Sequence, residues 1–307
     1  MTRLARLILI LGLIFSAGSL SGCYYLRSEA VPEVSNYDLG LPGLRALAAS
    51  LPGDRPTEVR MALVGTASLP GAMMMAGKSW DAIEMTHLGF QLLRPDGSFI
   101  VIDAAQDRDA HEASPGSQPF DDAQWEDLLR ALGEAEQVVI THEHGDHLGG
   151  VARYPDPEKL IGRVRLNEAQ LANTDALDAV DMPDVLREGL EPIVYEDAIA
   201  IAPGVVLKSA PGHTPGNQMV FVTLANGREF LFVGDTVWNG DAISELRYRP
   251  RFITDWIIGE NRETAIHQLR ALRDLVDSGE GVHLVIAHDA RSHVDPNLKP
   301  GFVFARP

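Results

Sequence analysis

The sequence predicts an α/β fold (α+β in its layering), and three observations carry that prediction. Short β-branched apolar runs such as Val138-Val139-Ile140 stand between turn-forming residues, as buried strands do. Segments of helical spacing lie between them, including Trp125, Leu128, Leu129 and Leu132, and later Ile266, Leu269, Leu272, Leu275 and Val276. The chemistry-bearing residues fall at the carboxyl ends of the apolar runs, where open sheets place their sites.

Met1 to Gly22 opens with Arg3 and Arg6, continues with an apolar run from Leu7 to Phe15, and closes on small residues. That is the layout of a secretory signal, and the run is short for a membrane span. Leu20-Ser21-Gly22-Cys23 resembles the lipobox of bacterial lipoproteins. The resemblance implies cleavage before Cys23 and lipid attached there, tying the protein to the membrane. Cys23 is the only cysteine, so no intramolecular disulfide can form. Tyr24, where an aspartate would retain such a protein at the inner membrane, implies an address at the outer membrane facing the periplasm. The 43 acidic and 26 basic residues give a formal net charge of −17, which disfavours nucleic acid as partner or substrate.

Residues 23–56 are rich in Pro, Gly and Leu and read as a tether, with a short helix over Leu44 to Ser50. The remainder, 57–307, reads as one domain. Strands are expected at Val59 to Val64, His87 to Leu93 and Phe99 to Ile102, the last two joined through the turn Pro95-Asp96-Gly97. Ser68 to Met85, with Met73, Met74, Met75 and Trp80, reads as a long loop able to wall an apolar substrate. A helix follows over Asp122 to Leu132, then the strand Val138 to Ile140. In the second half, helical material around Asn167 to Asn173 precedes strands near Pro192 to Tyr195, Val205 to Ser209, Met219 to Leu224 and Phe230 to Val233. A helix over Ala265 to Val276 and a buried strand over Val282 to Ala287 complete the pattern.

The chain's densest chemistry is His142-Glu143-His144-Gly145-Asp146-His147, straight after a strand and before Gly149-Gly150. On an extended backbone His142 and His144 point to one side. The glycines are expected to release the chain into a tight loop, letting Asp146 and His147 face a second point nearby. It is not a His-Glu-x-x-His helix, which needs a histidine at Asp146 and no glycine at 145. His213 in Pro211-Gly212-His213-Thr214-Pro215-Gly216, Asp235 after Val233-Gly234, and His288 after Ile286-Ala287 each sit at a strand exit. Such an arrangement gathers metal ligands from distant segments at one rim.

Together these motifs resemble the metallo-β-lactamase superfamily, from about Glu58 to Ala305. The resemblance implies an αββα sandwich of two mixed β-sheets flanked by helices. It implies that His142, His144 and His213 hold one metal, that Asp146, His147 and His288 hold a second, and that Asp235 bridges them. It places Asp103, after Ile100-Val101-Ile102, as a support for the metal loop, although the family's Thr-Gly after it is Ala104-Ala105 here. Three histidines without a thiolate suit zinc, while manganese or iron can use the same set. The implied reaction is attack of a metal-bridging hydroxide on a lactone, ester or lactam-type carbonyl, with Asp146 as catalytic proton carrier. The substrate is a small molecule, its apolar acyl part set against the methionine-rich loop. Lactonases and esterases fit better than β-lactamases, because the cysteine-ligand subclasses are excluded and the remaining one lacks the bridging aspartate. Trp238 stands where a lactonase tyrosine is expected. Phosphodiester or phosphotriester hydrolysis, a mono-iron sulfur dioxygenase, and a non-enzymatic metal-binding lipoprotein are the other readings. His87, His111, His267, His283 and His293 lie outside the pattern, and His87 is expected at the surface.

Overall fold

The structure is a computed structural model that describes residues 24–27 and 30–304. The signal-like segment Met1 to Gly22 and Cys23 lie outside the described residues. Among the described residues no helix is long and apolar enough to cross a membrane.

Six strands of the first half are β1 (Glu58–Pro70), β2 (Ala82–Leu93), β3 (Phe99–Ile102), β4 (Ser117–Phe120), β5 (Gln137–Val139) and β6 (Val164–Arg165). The second half adds β7 (Ala198–Ala202), β8 (Val205–Ser209), β9 (Gln218–Thr223), β10 (Glu229–Phe232), β11 (His283–Val285) and β12 (Leu298–Pro300). They form two sheets, one ordered β12-β1-β2-β3-β5-β6 with β4 against β1, the other β11-β10-β9-β8-β7. Both are mixed: β3, β5 and β6 run parallel, as do β10 and β11, while the hairpins β1/β2 and β8/β9 are antiparallel.

Period-two alternation builds the layers. In β3 all four residues are buried, with Ile100 and Ile102 turned toward the second sheet and Phe99 and Val101 toward the helices. Between the sheets, Leu88, Phe90, Leu92 and Val139 meet Val205, Leu207, Val220, Val222, Phe230 and Phe232. Outside the first sheet, Leu128, Ala131 and Leu132 of the helix Asp122–Glu134 pack on Val101 and Val138. Outside the second, Ile266, Leu269 and Leu272 of the helix Arg262–Ser278 pack on Val206, Phe221 and Leu231. The order helix, sheet, sheet, helix is the αββα sandwich.

Three expectations need correcting. The segment Ser68 to Met85 is not a long loop. β1 and β2 pair as far as Pro70 with Ala82, so the connection shrinks to residues 71–81, which open with the single helical turn Gly71–Met74. Gly65 and Ala67 weaken the strand signal ahead of this segment, and cross-strand pairing decides the conformation instead. The residues after His144 form a helix, Gly145–Ala152, rather than a loop. Gly149 and Gly150 are there because a Cβ on either would sit 2.9 or 2.3 Å from the carbonyl oxygens of Ala105 and Ala104. No strand forms over Pro192 to Tyr195, which contributes only an isolated bridge of Ile193 to Asn167. Within 23–56, the helix Leu41–Ala48 lies against the second sheet's outer face, burying Leu44 and Ala48.

Candidate metal centre

The parallel pair β3 and β5 ends on one rim, so Asp103 and the His142 segment leave the sheet side by side. Asp103 has a left-handed backbone (φ 60°). Its carboxylate accepts hydrogen bonds from the Thr141 N–H at 2.7 Å and the Thr141 hydroxyl at 2.9 Å. The facing rim of the second sheet delivers His213 after β8, Asp235 after β10 and His288 after β11. Gln218 stitches the rims together: its N–H reaches Thr141 O at 2.8 Å and its side-chain amide reaches Ile140 O at 2.8 Å.

All seven ligand positions expected from the sequence converge. The ring nitrogens of His142 and His213 lie 3.1 and 3.0 Å from His144 Nδ1. Across the centre, His147 Nε2 and His288 Nε2 are 3.5 Å apart, and Asp146 Oδ2 lies 3.8 and 3.4 Å from them. Asp235 stands between the two sets. Its Oδ2 is 3.8 Å from His142 Nε2 and 3.5 Å from His213 Nε2. Its Oδ1 is 3.3 Å from His147 Nε2 and 3.1 Å from His288 Nε2.

These separations fit a cation in each set, since tetrahedral bonds of 2.0–2.1 Å to imidazole put neighbouring nitrogens about 3.3 Å apart. Asp235 Oδ1 is also buried without a hydrogen-bond donor, an acceptor that a cation would satisfy. The second oxygen, Oδ2, already accepts from Trp238 Nε1 at 2.7 Å.

Three of the converging histidines are aimed from behind. His147 Nδ1 faces Asp103 at 2.8 Å, His288 Nδ1 faces the Thr86 carbonyl at 2.9 Å, and His213 Nδ1 faces Glu260 at 2.6 Å. A proton on each Nδ1 leaves each Nε2 bare toward the centre, the tautomer a cation needs. Glu260, with a fully buried carboxylate, pairs in turn with buried Arg249, which also donates to the Asp235 carbonyl at 2.8 Å. Glu143 accepts from Asn173, from the Thr214 hydroxyl and from the Gly216 N–H, tying the His213 loop to the His142 segment.

The electrostatics differ across the centre. Burial drives His142 well below the usual imidazole value and His144 down to about 4. Burial opposes charge on His147 and His288 too, but Asp103, Asp235 and Asp146 together hold His147 well above it, and Asp235 and Asp146 raise His288. Although burial would raise the Asp235 carboxyl, His288, His147 and His142 keep it well below its ordinary range.

A cavity of about 380 Å³ opens over the cluster. His144, Asp146, His213, Asp235 and His288 form its floor, and Leu69, Met73, Met85, Trp238, Ile253 and Ile257 its walls. Asp146 faces this space with its side chain 25% exposed. His87 is not a surface residue. It is 6% exposed, lines the cavity, and is pushed by burial to about 4. Sequence reasoning also missed Glu260 and Arg249, whose stretch carries no ligand-like spacing.

A family model described as the metallo-beta-lactamase superfamily matches residues 92–284. The N-acyl homoserine lactonase AiiA of Bacillus thuringiensis subsp. kurstaki is 21% identical over 167 residues, covering 54% of this chain and 60% of that protein. The chain thus spans about three-fifths of that relative's length. An N-acyl homoserine lactone hydrolase, solved with N-hexanoyl-L-homoserine bound at its catalytic metal center, superposes with a TM-score of 0.58 at 14% identity. That match covers 77% of this chain and 95% of the other. AidC, a dizinc quorum-quenching lactonase in complex with N-hexanoyl-L-homoserine, superposes with a TM-score of 0.50 at 13% identity, covering 77% and 89%. At such identities the structural likeness is one of fold.

Proposed function

The chain belongs to the metallo-β-lactamase superfamily, and from that premise we propose that it is a two-metal hydrolase opening lactones or esters with an apolar acyl group. The observation that carries this reading is Asp235, one carboxylate oxygen toward each histidine set and one of them without a donor. His142, His144 and His213 would hold one divalent cation and Asp146, His147 and His288 the other, with Asp235 shared. Zinc is the first choice for an all-imidazole set, and the similar lactonase AidC is described as dizinc.

Bound there, such cations lower the pKa of water to near neutrality and polarise a carbonyl. The protein supplies the rest. Asp146, at the cavity floor, orients the attacking water and carries its proton to the leaving alkoxide, giving the ring-opened hydroxy acid. Trp238 holds Asp235 through its N–H, so the shared carboxylate does not swing. The apolar walls bind the acyl part and exclude water from it. The relatives' names, which specify N-acyl homoserine lactones, make those the first substrates to try.

The envelope address remains part of this proposal. Tyr25, two residues after Cys23, packs on Trp256 with ring centroids 4.4 Å apart. Trp256 adjoins Ile257 and Ile258 at the cavity wall. A lipid on Cys23 would hold the cavity mouth near the membrane surface, where acylated substrates partition.

The test is turnover of a panel of N-acyl homoserine lactones, aryl esters, penicillins and aryl phosphodiesters by the full chain in detergent, with metal content measured alongside. Lactone opening that is lost on chelation and restored by zinc is expected. Turnover that survives complete metal removal, or a preference for phosphodiesters, overturns the reading.

A further inference from the structure

His147, His213 and His288 share one wiring: a partner behind the ring takes the Nδ1 proton, and Nε2 is left bare toward the centre. The described structure contains a fourth instance outside the expected ligand set. His111 Nε2 lies 2.8 Å from the Gln118 carbonyl, an acceptor only, so Nε2 carries the proton and Nδ1 is bare. That Nδ1 faces His87 Nδ1 at 3.3 Å, so the His87 proton sits on its Nδ1. His87 Nε2 is then a bare lone pair on the cavity side, 3.9 Å from Asp146 Oδ2. The Gln106 amide, 3.5 Å from His87 Nδ1, is the longer contact, and its oxygen and nitrogen exchange by a flip.

The arrangement is built rather than incidental. His111 is fully buried, and Gly65, paired across the ribbon with His87, leaves room for it. A Cβ on Gly65 would stand 2.7 Å from the His111 ring. His87 also follows Thr86, whose carbonyl aims His288, so one strand positions both rings. His87, Asp146 and His288 offer ligand atoms within 4.8 Å of one another.

We propose that His87 is an additional ligand of the second cation, alongside Asp146, His147, His288 and the shared Asp235. The inference rests on the two-metal reading above. It makes the centre asymmetric, with an open tetrahedral set on one side and a crowded, higher-coordinate set on the other. The crowded set accommodates manganese or iron better than the open one does.

Metal titration and structure determination test it together. The wild type should take up two equivalents of zinc. His87→Ala should keep the first with unchanged affinity, which also reports that it folds, and bind the second at least about 10- to 100-fold more weakly. His111→Phe, which removes the tautomer lock together with the bond to the Gln118 carbonyl, should weaken the second equivalent less. A crystal structure of the zinc-loaded wild type needs no variant and should place His87 Nε2 at a ligand distance, about 2.0–2.1 Å. If two zinc ions bind while His87 Nε2 stands beyond 3 Å from both, or if His87→Ala binds both equivalents as tightly as the wild type, His87 is not a ligand. If the wild type binds fewer than two equivalents, the two-metal reading itself falls.

Discussion

The two halves of the proposed metal centre are held by different means. The set of His142, His144 and His213 is all imidazole, reaches the cavity floor through His144 and His213, and is backed by the buried ion pair Glu260–Arg249. The set of Asp146, His147 and His288 opens onto the cavity, carries its own carboxylate, and is backed by Asp103 and a main-chain carbonyl. In the first half burial holds His142 and His144 toward the neutral ring, while the second gathers negative charge on Asp103 and Asp146. In the two-metal reading proposed above, Asp235 is the group that both share.

Removing that shared group should have the largest effect. Asp235→Ala is expected to lose the second equivalent of zinc and to lower turnover by more than the roughly 100-fold that outer partners of ligands cost. Full turnover with two equivalents retained would show that the halves do not share it.

Next come the backing groups, which should separate the halves. Glu260→Gln leaves Arg249 buried beside a neutral amide, so it should cost about 3–5 kcal/mol of stability in denaturant melts. It should also weaken the first equivalent of zinc about 10- to 100-fold. Asp103→Asn should weaken the second equivalent by a similar factor and leave the first alone. Each variant weakening both equivalents equally would mean that the halves are not independently supported.

Acid should separate them too. In the metal-free protein His147 and His288 keep protons to higher pH than a free imidazole, so binding there must displace protons. His144, at about 4, and His142, which burial holds well below the usual imidazole value, are already bare. Zinc titrations from pH 8 down to 5.5 should therefore show the second affinity falling about tenfold per unit for each proton displaced, with the first less affected. Stability has a related signature. His87 and His144 sit at about 4 when folded against 6.5 when exposed, so the unfolded chain binds more protons in between. The metal-free protein should lose stability as pH falls from 6.5 to 4.

Much of this contrast was legible in the sequence. The ligands carry a distinctive spacing, and strands such as Phe99 to Ile102 are apolar runs whose ends are marked by turn residues. What escaped the reading depends on partners distant in the chain. Gly149 and Gly150 read as helix breakers, and only the backbone of Ala104 and Ala105 explains them as a close-packed helix face. His87 sits in an alternating strand whose pattern does not reveal that the opposite surface is a cavity. Glu260 follows Gly259 in a stretch that carries no motif, and its role exists only because the helix Arg262–Ser278 folds back beneath His213.

The smallest expected effect concerns access. Ile257 is 69% exposed at the cavity wall, on the turn Ile253–Ile258 whose Trp256 meets Tyr25, so it contributes only the side facing the cavity. A fully buried isoleucine is worth about 1.5–3 kcal/mol, and a partly covered one about a third to a half of that. Ile257→Asn should therefore raise KM for a decanoyl lactone roughly 3- to 10-fold, since 1.4 kcal/mol is tenfold. It should leave KM for a butanoyl lactone and both zinc affinities unchanged, because the short chain ends before the wall and no ligand is touched. A kcat that falls equally for both chain lengths would place Ile257 with the reacting groups, and the contrast between an all-imidazole half and a carboxylate-bearing half would have to be redrawn.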